Sequence, residues 1–404
     1  MTQKLQFPKG FLWGAASSAY QTEGGNTNND WCVWEKSVRR VDFLRANGKN
    51  PDDFCAGIAC DFWNRFDEDF SLARLLNHSA TRFGLEWSRI EPQEGVFDEK
   101  ALDHYEKMLQ SAKFHGLTVF LTLHHYTNPL WFAKQGGFLN RKSAAKFSRY
   151  VTKVADRLGQ YVDFWLTINE PEVYSSHSYF FAKYPPQEHS FWKTWRVVQN
   201  LIRAHNSAAK ILKSKTGKPV SMAYQLADWE PAGFFSHFTH IMVEYLANEY
   251  ILNRTIGTCD FIGVNYYVHH HVGVLGMRQH SLTHHDVTDL GWGIHPEGLE
   301  HVLLSLKRHK KPIYVTENGL ADARDAKREK YIKDHLYHLY MAIKGGADVR
   351  GYLYWSLTDN FEWAEGFWPR FGLVEIDRDD LLRRRVRHSA LKYAEICKSN
   401  ELEY

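Results

Sequence analysis

A chain of 404 residues, 44% hydrophobic and 24% charged with no low-complexity tract, is globular and has room for one large α/β barrel or two ordinary domains. A formal net charge of +3 gives no footing for a polyanionic partner, so no nucleic acid is expected. No apolar window approaches the ~20 residues that a membrane helix needs, so no membrane span is expected either.

From the N-terminus, "MTQKLQFPKGFLWGAASSAYQ" lacks an apolar stretch of signal-peptide length, because Pro8, Lys9 and Gly10 interrupt it. Five cysteines (Cys32, Cys55, Cys60, Cys259, Cys397) are scattered without paired spacing. Such a set fits a reducing compartment, and the expected location is the cytoplasm. Strand-like apolar runs follow near Phe11–Ala15, Thr81–Trp87, Thr118–His124, Tyr161–Ile168, Val220–Gln225, Asp260–Tyr266, Ile313–Thr316 and Gly351–Ser356. Between them, apolar residues recur at helical spacing. Leu102, Tyr105, Met108, Leu109 and Ala112 form one such face, and Phe147, Val151, Val154 and Leu158 the next. Further faces run through Val198–Leu212, Leu299–Leu306 and Ile332–Ile343. Alternating strands and helices with near-continuous apolar strands imply a parallel sheet covered on both sides. Eight such units without a Pro/Gly/Ser-rich linker predict an α/β fold, a single (β/α)₈ TIM barrel over residues 1–404. Near the C-terminus, Arg383, Arg384 and Arg385 lie beside Asp377, Asp379 and Asp380, which predicts a self-neutralising turn.

Two of the strands end in the same unusual way. "FWLTINEPEVY" runs from a β-branched stretch into Asn169, Glu170 and Pro171, and "PIYVTENGLAD" runs into Glu317, Asn318 and a chain-breaking Gly319. Right-handed crossovers place all C-terminal strand ends on one face, where a barrel carries its chemistry. Strands four and seven lie nearly opposite each other across the pore. A lone strand-end glutamate usually pairs with an arginine at the rim. Two at similar depth, each beside an asparagine, are suited to glycosidic bond cleavage, one as proton donor and the other as nucleophile or base. They are poor at holding a hard metal without further carboxylates or histidines. A basic residue inside the alternating "ATRFGLEW" is costly unless a carboxylate faces it, which marks Arg82 as a partner for one of them.

"TINEP", "VTENG", "YQTEGG", "RFGLEWSRI", "LTLHHYTNPLW", "FIGVNYY" and "WSLTDNFEWAEGFWPRFGL" occur in the order found in glycoside hydrolase family 1, and the chain resembles its retaining β-glucosidases and β-galactosidases from Phe7 to about Ile396. The short archaeal-like members, which share "FPKGFLWG", are the most similar. The resemblance implies that Glu170 is the acid/base and Glu317 the nucleophile, supported by Arg82, Asn169 and Tyr267. It implies that Gln21, His125 and Glu362 hold sugar hydroxyls, with Trp363 at the sugar's edge and Trp355 as its stacking floor. The implied substrates are small-molecule β-glycosides or short oligosaccharides of gluco, galacto or fuco configuration, without a cofactor, and the sequence leaves room for a homo-oligomer.

Other readings stay open: a carbohydrate-binding barrel without turnover, or a transglycosidase that passes the sugar to an alcohol. No metal site is expected. His124 and His125 are adjacent on a strand and point to opposite sides. His269, His270 and His271 are expected on a polar loop at the outer wall of the cleft, with no partner implied by sequence. The chain is short for the family, and its compact stretch from Ala227 to Gly257 predicts trimmed loops and an open aglycone side.

Overall fold

The computed structural model describes residues 4–274, 276–278 and 286–404, without the side chains of residues 234 and 276–278. Barrel strands and their crossover helices alternate along the chain as β1 (Leu12–Ala16), α1 (Phe62–Leu75), β2 (Ala80–Gly84), α2 (Glu99–Phe114), β3 (Thr118–Thr122), α3 (Ser143–Leu158), β4 (Phe164–Asn169) and α4 (Phe191–Thr216). The second half continues as β5 (Val220–Gln225), α5 (Tyr250–Thr255), β6 (Ile262–Asn265), α6 (Pro296–Ser305), β7 (Ile313–Asn318), α7 (Arg328–Lys344), β8 (Val349–Trp355) and α8 (His388–Ser399). The eight strands close in sequential order, each parallel to its neighbours, with β8 against β1 and β6 against β7. This is the (β/α)₈ barrel that the alternation predicts.

Sequence chemistry sets the helix limits. At the start of α2, Asp98 accepts from the backbone N–H groups of Lys100 and Ala101 at 2.9 and 3.2 Å. Gly217, at φ 64°, takes the left-handed conformation that stops α4. The buried residues of α2 and α3 include every apolar position of the predicted faces. Helices α1, α5 and α8 escape the periodicity reading. On α1 the core-facing stripe carries Asp69, fully buried against Arg384 at 2.9 Å, so a charge interrupts the apolar pattern. Arg384 belongs to the basic run, which forms a hairpin (Val374–Asp377 with Arg383–Val386). There Arg383 meets Asp380 at 3.1 Å and Arg385 meets Asp377 at 2.7 Å, the self-neutralising arrangement expected, but Arg384 turns inward to Asp69 and is not part of a solvated turn.

Apolar side chains fill the lower barrel. Phe120, Phe164, Phe261 and Tyr314 interlock there, with Phe120 and Phe164 stacked at 4.4 Å and Phe120 at 5.3 Å from Tyr314. Above this floor the inward positions turn polar: β2 carries Ala80 and then Arg82, and β3 carries Phe120 and then Thr122, which accepts from Arg82 Nε at 3.1 Å. Strand alternation thus builds an apolar plug below and a polar chamber above, on the face of the C-terminal strand ends. Gly319 is there for space: a β-carbon would lie 1.8 Å from the Trp355 carbonyl oxygen, so only glycine lets the ends of β7 and β8 approach so closely. All five cysteines are free, and among the described residues no helix is long and apolar enough to cross a membrane.

Truncating Arg384 to alanine leaves Asp69 buried without its partner and is expected to lower stability by about 3–5 kcal/mol. A denaturant melt that moves by less than ~1 kcal/mol would show that the pair is dispensable.

Candidate active site

Strand β4 does not run smoothly into its glutamate. Its pairing with β5 shifts register between Leu166 and Asn169, and Glu170 then takes φ 41° and ψ 62°, a left-handed conformation that a side chain rarely adopts. Pro171 follows at the first position of a helix (Pro171–Tyr179), where its missing N–H costs nothing. Strand β7 behaves alike: its register shifts between Val315 and Glu317 against β6. Such bulges re-aim side chains, and here they turn both carboxylates toward one cavity.

That cavity has a volume of about 670 Å³ and is lined by Glu170, Glu317, His125, Trp355, Glu362, Trp363 and Tyr267, all expected from the sequence. Tyr126, Phe181, Tyr184, Trp292 and Phe371 add an aromatic share to the same lining. Gln21, Arg82 and Asn169 stand behind this wall, each fully buried. The Arg82 guanidinium reaches Glu317 Oε1 at 2.5 Å and Asn169 Oδ1 at 2.5 Å, so one cation orders both strand ends. Tyr267 donates to Glu317 Oε2 at 2.7 Å. Asn169 Nδ2 donates to His125 Nε2 at 2.9 Å, which places the imidazole proton on Nδ1. Gln21 lies beneath Glu362. Its Nε2 donates to the Phe361 carbonyl at 2.9 Å and to Glu362 at 3.4 Å, while its Oε1 accepts from Ser18 at 2.6 Å. Trp355 and Trp363 flank His125, with ring centroids 6.1 and 5.7 Å away.

Two contacts were not singled out from the sequence. Tyr126, at φ 70°, donates its hydroxyl to Glu170 Oε2. Asn265, inside "FIGVNYY", donates to Glu170 Oε1 at 2.8 Å and to Asn169 Oδ1 at 3.2 Å. Asn265 is oriented in turn by Thr316, which donates to its Oδ1 at 2.7 Å. Its place in a quoted motif was the available signal; that of Tyr126 was adjacency to His125.

The two carboxylates are electrostatically unlike. Burial raises both. Glu170 is lifted further by the charge of Glu317, to about 7. At Glu317, Arg82 and the Tyr267 hydroxyl oppose the effect of burial. Arg82 and Tyr267 thus favour the ionised form of Glu317, and a charge there adds to burial in favouring a proton on Glu170. Glu362 is pushed to about 8 by burial and then by the same two carboxylates, so it too favours its neutral form at neutral pH until a ligand or cation changes its surroundings. His125 is held well below the ordinary histidine range by burial and by Arg82, and stays neutral.

The histidine run departs from expectation. His269–Gly273 is a strand, paired in parallel with Asp228–Pro231, and the side chains of Asp228, Glu230 and His295 converge on His269. The sequence reading found no such partners because they come from distant segments. His269 and His270 do line the cavity, as expected of its outer wall.

A closed (β/α)₈ barrel whose strand ends hold two buried carboxylates, one of them against a guanidinium, over an aromatic-walled cavity defines a glycoside hydrolase. The family model for glycosyl hydrolase family 1 matches residues 3–237 and 240–402, and the chain belongs to that family. Beta-glucosidase A of Thermotoga maritima is 32% identical, the match covering 98% of this chain and 99% of that protein. A beta-galactosidase of Sulfolobus acidocaldarius is 30% identical over 99% and 97%. The solved structure of a beta-glycosidase from Pyrococcus horikoshii superposes with a TM-score of 0.90 at 35% identity, covering 100% of this chain and 97% of that one.

The pH profile of kcat/KM should be bell-shaped, with a basic limb near 7 set by Glu170 losing its proton. Tyr267→Phe removes a donor that favours ionised Glu317, so the acidic limb should move to higher pH while the basic limb stays. An acidic limb that does not move, or moves down, would contradict the assignment of that limb to Glu317.

Proposed function

We propose that this chain is a retaining, exo-acting β-glycosidase that removes terminal β-D-glycosyl residues, chiefly as a β-glucosidase with β-galactosidase and β-fucosidase activity. The observation that carries the proposal is the unequal setting of Glu170 and Glu317 on one cavity. A double displacement needs one carboxylate ionised for attack and one protonated to donate, and this arrangement supplies both at neutral pH.

In the first step Glu317, ionised beside Arg82, attacks the anomeric carbon, and the proton on Glu170 passes to the departing oxygen. Forming the ester discharges Glu317. The part of the rise at Glu170 that comes from the Glu317 charge is then lost while burial remains, so its pKa falls and it can take a proton from water in the second step. Asn169, fixed between Arg82 and His125, is placed to donate to the sugar 2-hydroxyl, where a bond strengthens as positive charge grows on the ring. Trp355 offers the stacking floor and Trp363 the edge. His125 Nδ1, which has no protein partner among the described residues, can donate to a hydroxyl. The joined Gln21 and Glu362 supply donors and acceptors for the others. The aromatic plug closes the barrel below, which favours entry of a chain end over the middle of a polymer. Five unpaired cysteines suit a reducing compartment such as the cytoplasm.

The aromatic lining at Phe181, Tyr184 and Trp292, which are not fully buried, favours some transfer to alcohols, since an apolar acceptor can rest there as the aglycone leaves. Water and acceptor then compete for one glycosyl-enzyme. The beta-glucosidase and beta-galactosidase names of the relatives support a site tolerant of the hydroxyl at one sugar carbon.

Following the products of an aryl β-glucoside by NMR should show the β-anomer first. Glu317→Ala should lose turnover by several orders of magnitude, on the order of 10⁴ or more, and azide should restore it with inverted product. Glu170→Ala should spare activated leaving groups and penalise poor ones. An α-anomer appearing first, or equal damage on every leaving group, would overturn the mechanism, and a folded protein releasing no phenol would favour the binding barrel.

A further inference from the structure

A second group of ligating side chains stands beside the cleft, and the proposed mechanism does not use it. Strands Asp228–Pro231 and His269–Gly273 pair in register, Asp228 opposite His269 and Glu230 opposite His271. Because alternate residues share a face, Asp228 and Glu230 stand on the same side of the small sheet as His269 and His271. Trp229 and His270 take the other side, their rings 4.7 Å apart. His295, just before α6, reaches the first face. One ligating atom from each of Asp228, Glu230, His269 and His295 lies within 4.8 Å of all the others.

Two imidazoles and two carboxylates are a donor set that suits zinc. Zinc bonds of ~2.0–2.2 Å set tetrahedral ligands roughly 3.3 Å apart. His295 Nε2 already lies 3.3 Å from Asp228 Oδ2, and His269 Nε2 lies 3.7 Å from Glu230 Oε2. His295 Nδ1 lies 3.6 Å from Glu297, a carboxylate outside the set, which fixes the tautomer that turns its Nε2 lone pair toward a metal. His269 Nδ1 lies 2.7 Å from Asp228 Oδ2, itself one of the four ligating side chains. Asp228 and His269 are buried, whereas Glu230 and His295 are partly exposed, which leaves a route for an ion to enter. All the donors sit on strands or at a helix start, and closing the shell exchanges the hydrogen bond between His269 and Asp228 for bonds to the ion.

We propose that Asp228, Glu230, His269 and His295 form a binding site for a zinc-type divalent transition metal, which ties the small sheet at the cleft wall to the start of α6. The ion's role is structural. It cross-links segments from two successive crossovers of the barrel and stiffens the wall to which His269 and His270 belong.

The test uses the full-length protein, stripped with EDTA and dialysed, then titrated with Zn²⁺ by calorimetry and melted with and without the ion. One equivalent should bind, and the melting temperature should rise with zinc by mass action. His295→Ala should abolish that equivalent. Glu297→Gln, which keeps every ligand, should weaken it by about 10–100-fold. Both variants should melt like the parent in EDTA, which separates loss of a ligand from loss of the fold. Absence of a saturable equivalent, or an equivalent that His295→Ala leaves intact, would overturn the proposal.

Discussion

The buried pair of Arg82 and Glu317 is the interaction on which the rest of this site depends. Both side chains are almost wholly withdrawn from water, 0% and 5% exposed, and a carboxylate so placed would hold its proton without a cation against it. The cation opposes the effect of burial and favours a charge on Glu317 inside the barrel. That charge then keeps a proton on Glu170. The same guanidinium holds Asn169, so one arginine on β2 arranges the ends of β4 and β7 together. In the proposed mechanism the difference between the two glutamates is a consequence of where Arg82 stands.

The surrounding scaffold accepts local strain to keep this arrangement. Tyr126, Glu170 and Trp363 all have positive φ values, 70°, 41° and 50°, and all line the cavity. Left-handed backbone costs a side-chain-bearing residue about 1–2 kcal/mol, and such conformations persist where packing over-determines them. Here the aromatic plug beneath and the packed helices outside supply that packing. Tyr126 and Asn265 each donate to one oxygen of Glu170, which fixes the orientation of the carboxyl group.

Much of this was legible in the sequence. Each barrel strand reads as an apolar run because both of its faces are buried. The two glutamates stood out because an apolar run has no reason to end on a carboxylate. The motifs added Tyr267, His125, Trp355 and Glu362, which the fold brings to one cavity. What the sequence hid was long-range or depended on backbone conformation. Asp69 obscured the face of α1 because its partner Arg384 lies in a distant hairpin. Tyr126 reaches Glu170 only through a left-handed turn that an ordinary Tyr-Thr pair does not announce. The register shifts that aim Glu170 and Glu317 leave no mark in residue type. His269 seemed to lack partners because Asp228, Glu230 and His295 reach it through sheet pairing and a helix start, and no spacing rule connects them.

The central claim is that Glu317 becomes covalently attached to the sugar while Glu170 exchanges its proton. The most direct measurement is to slow the second step with a 2-deoxy-2-fluoro-β-glucoside bearing a good leaving group, digest the stopped enzyme, and locate the added mass. The account predicts one sugar per chain, in the peptide containing Glu317 and on that residue. A sugar found on Glu170 or Glu362, or turnover of the unmodified substrate with inversion and no adduct, would contradict it.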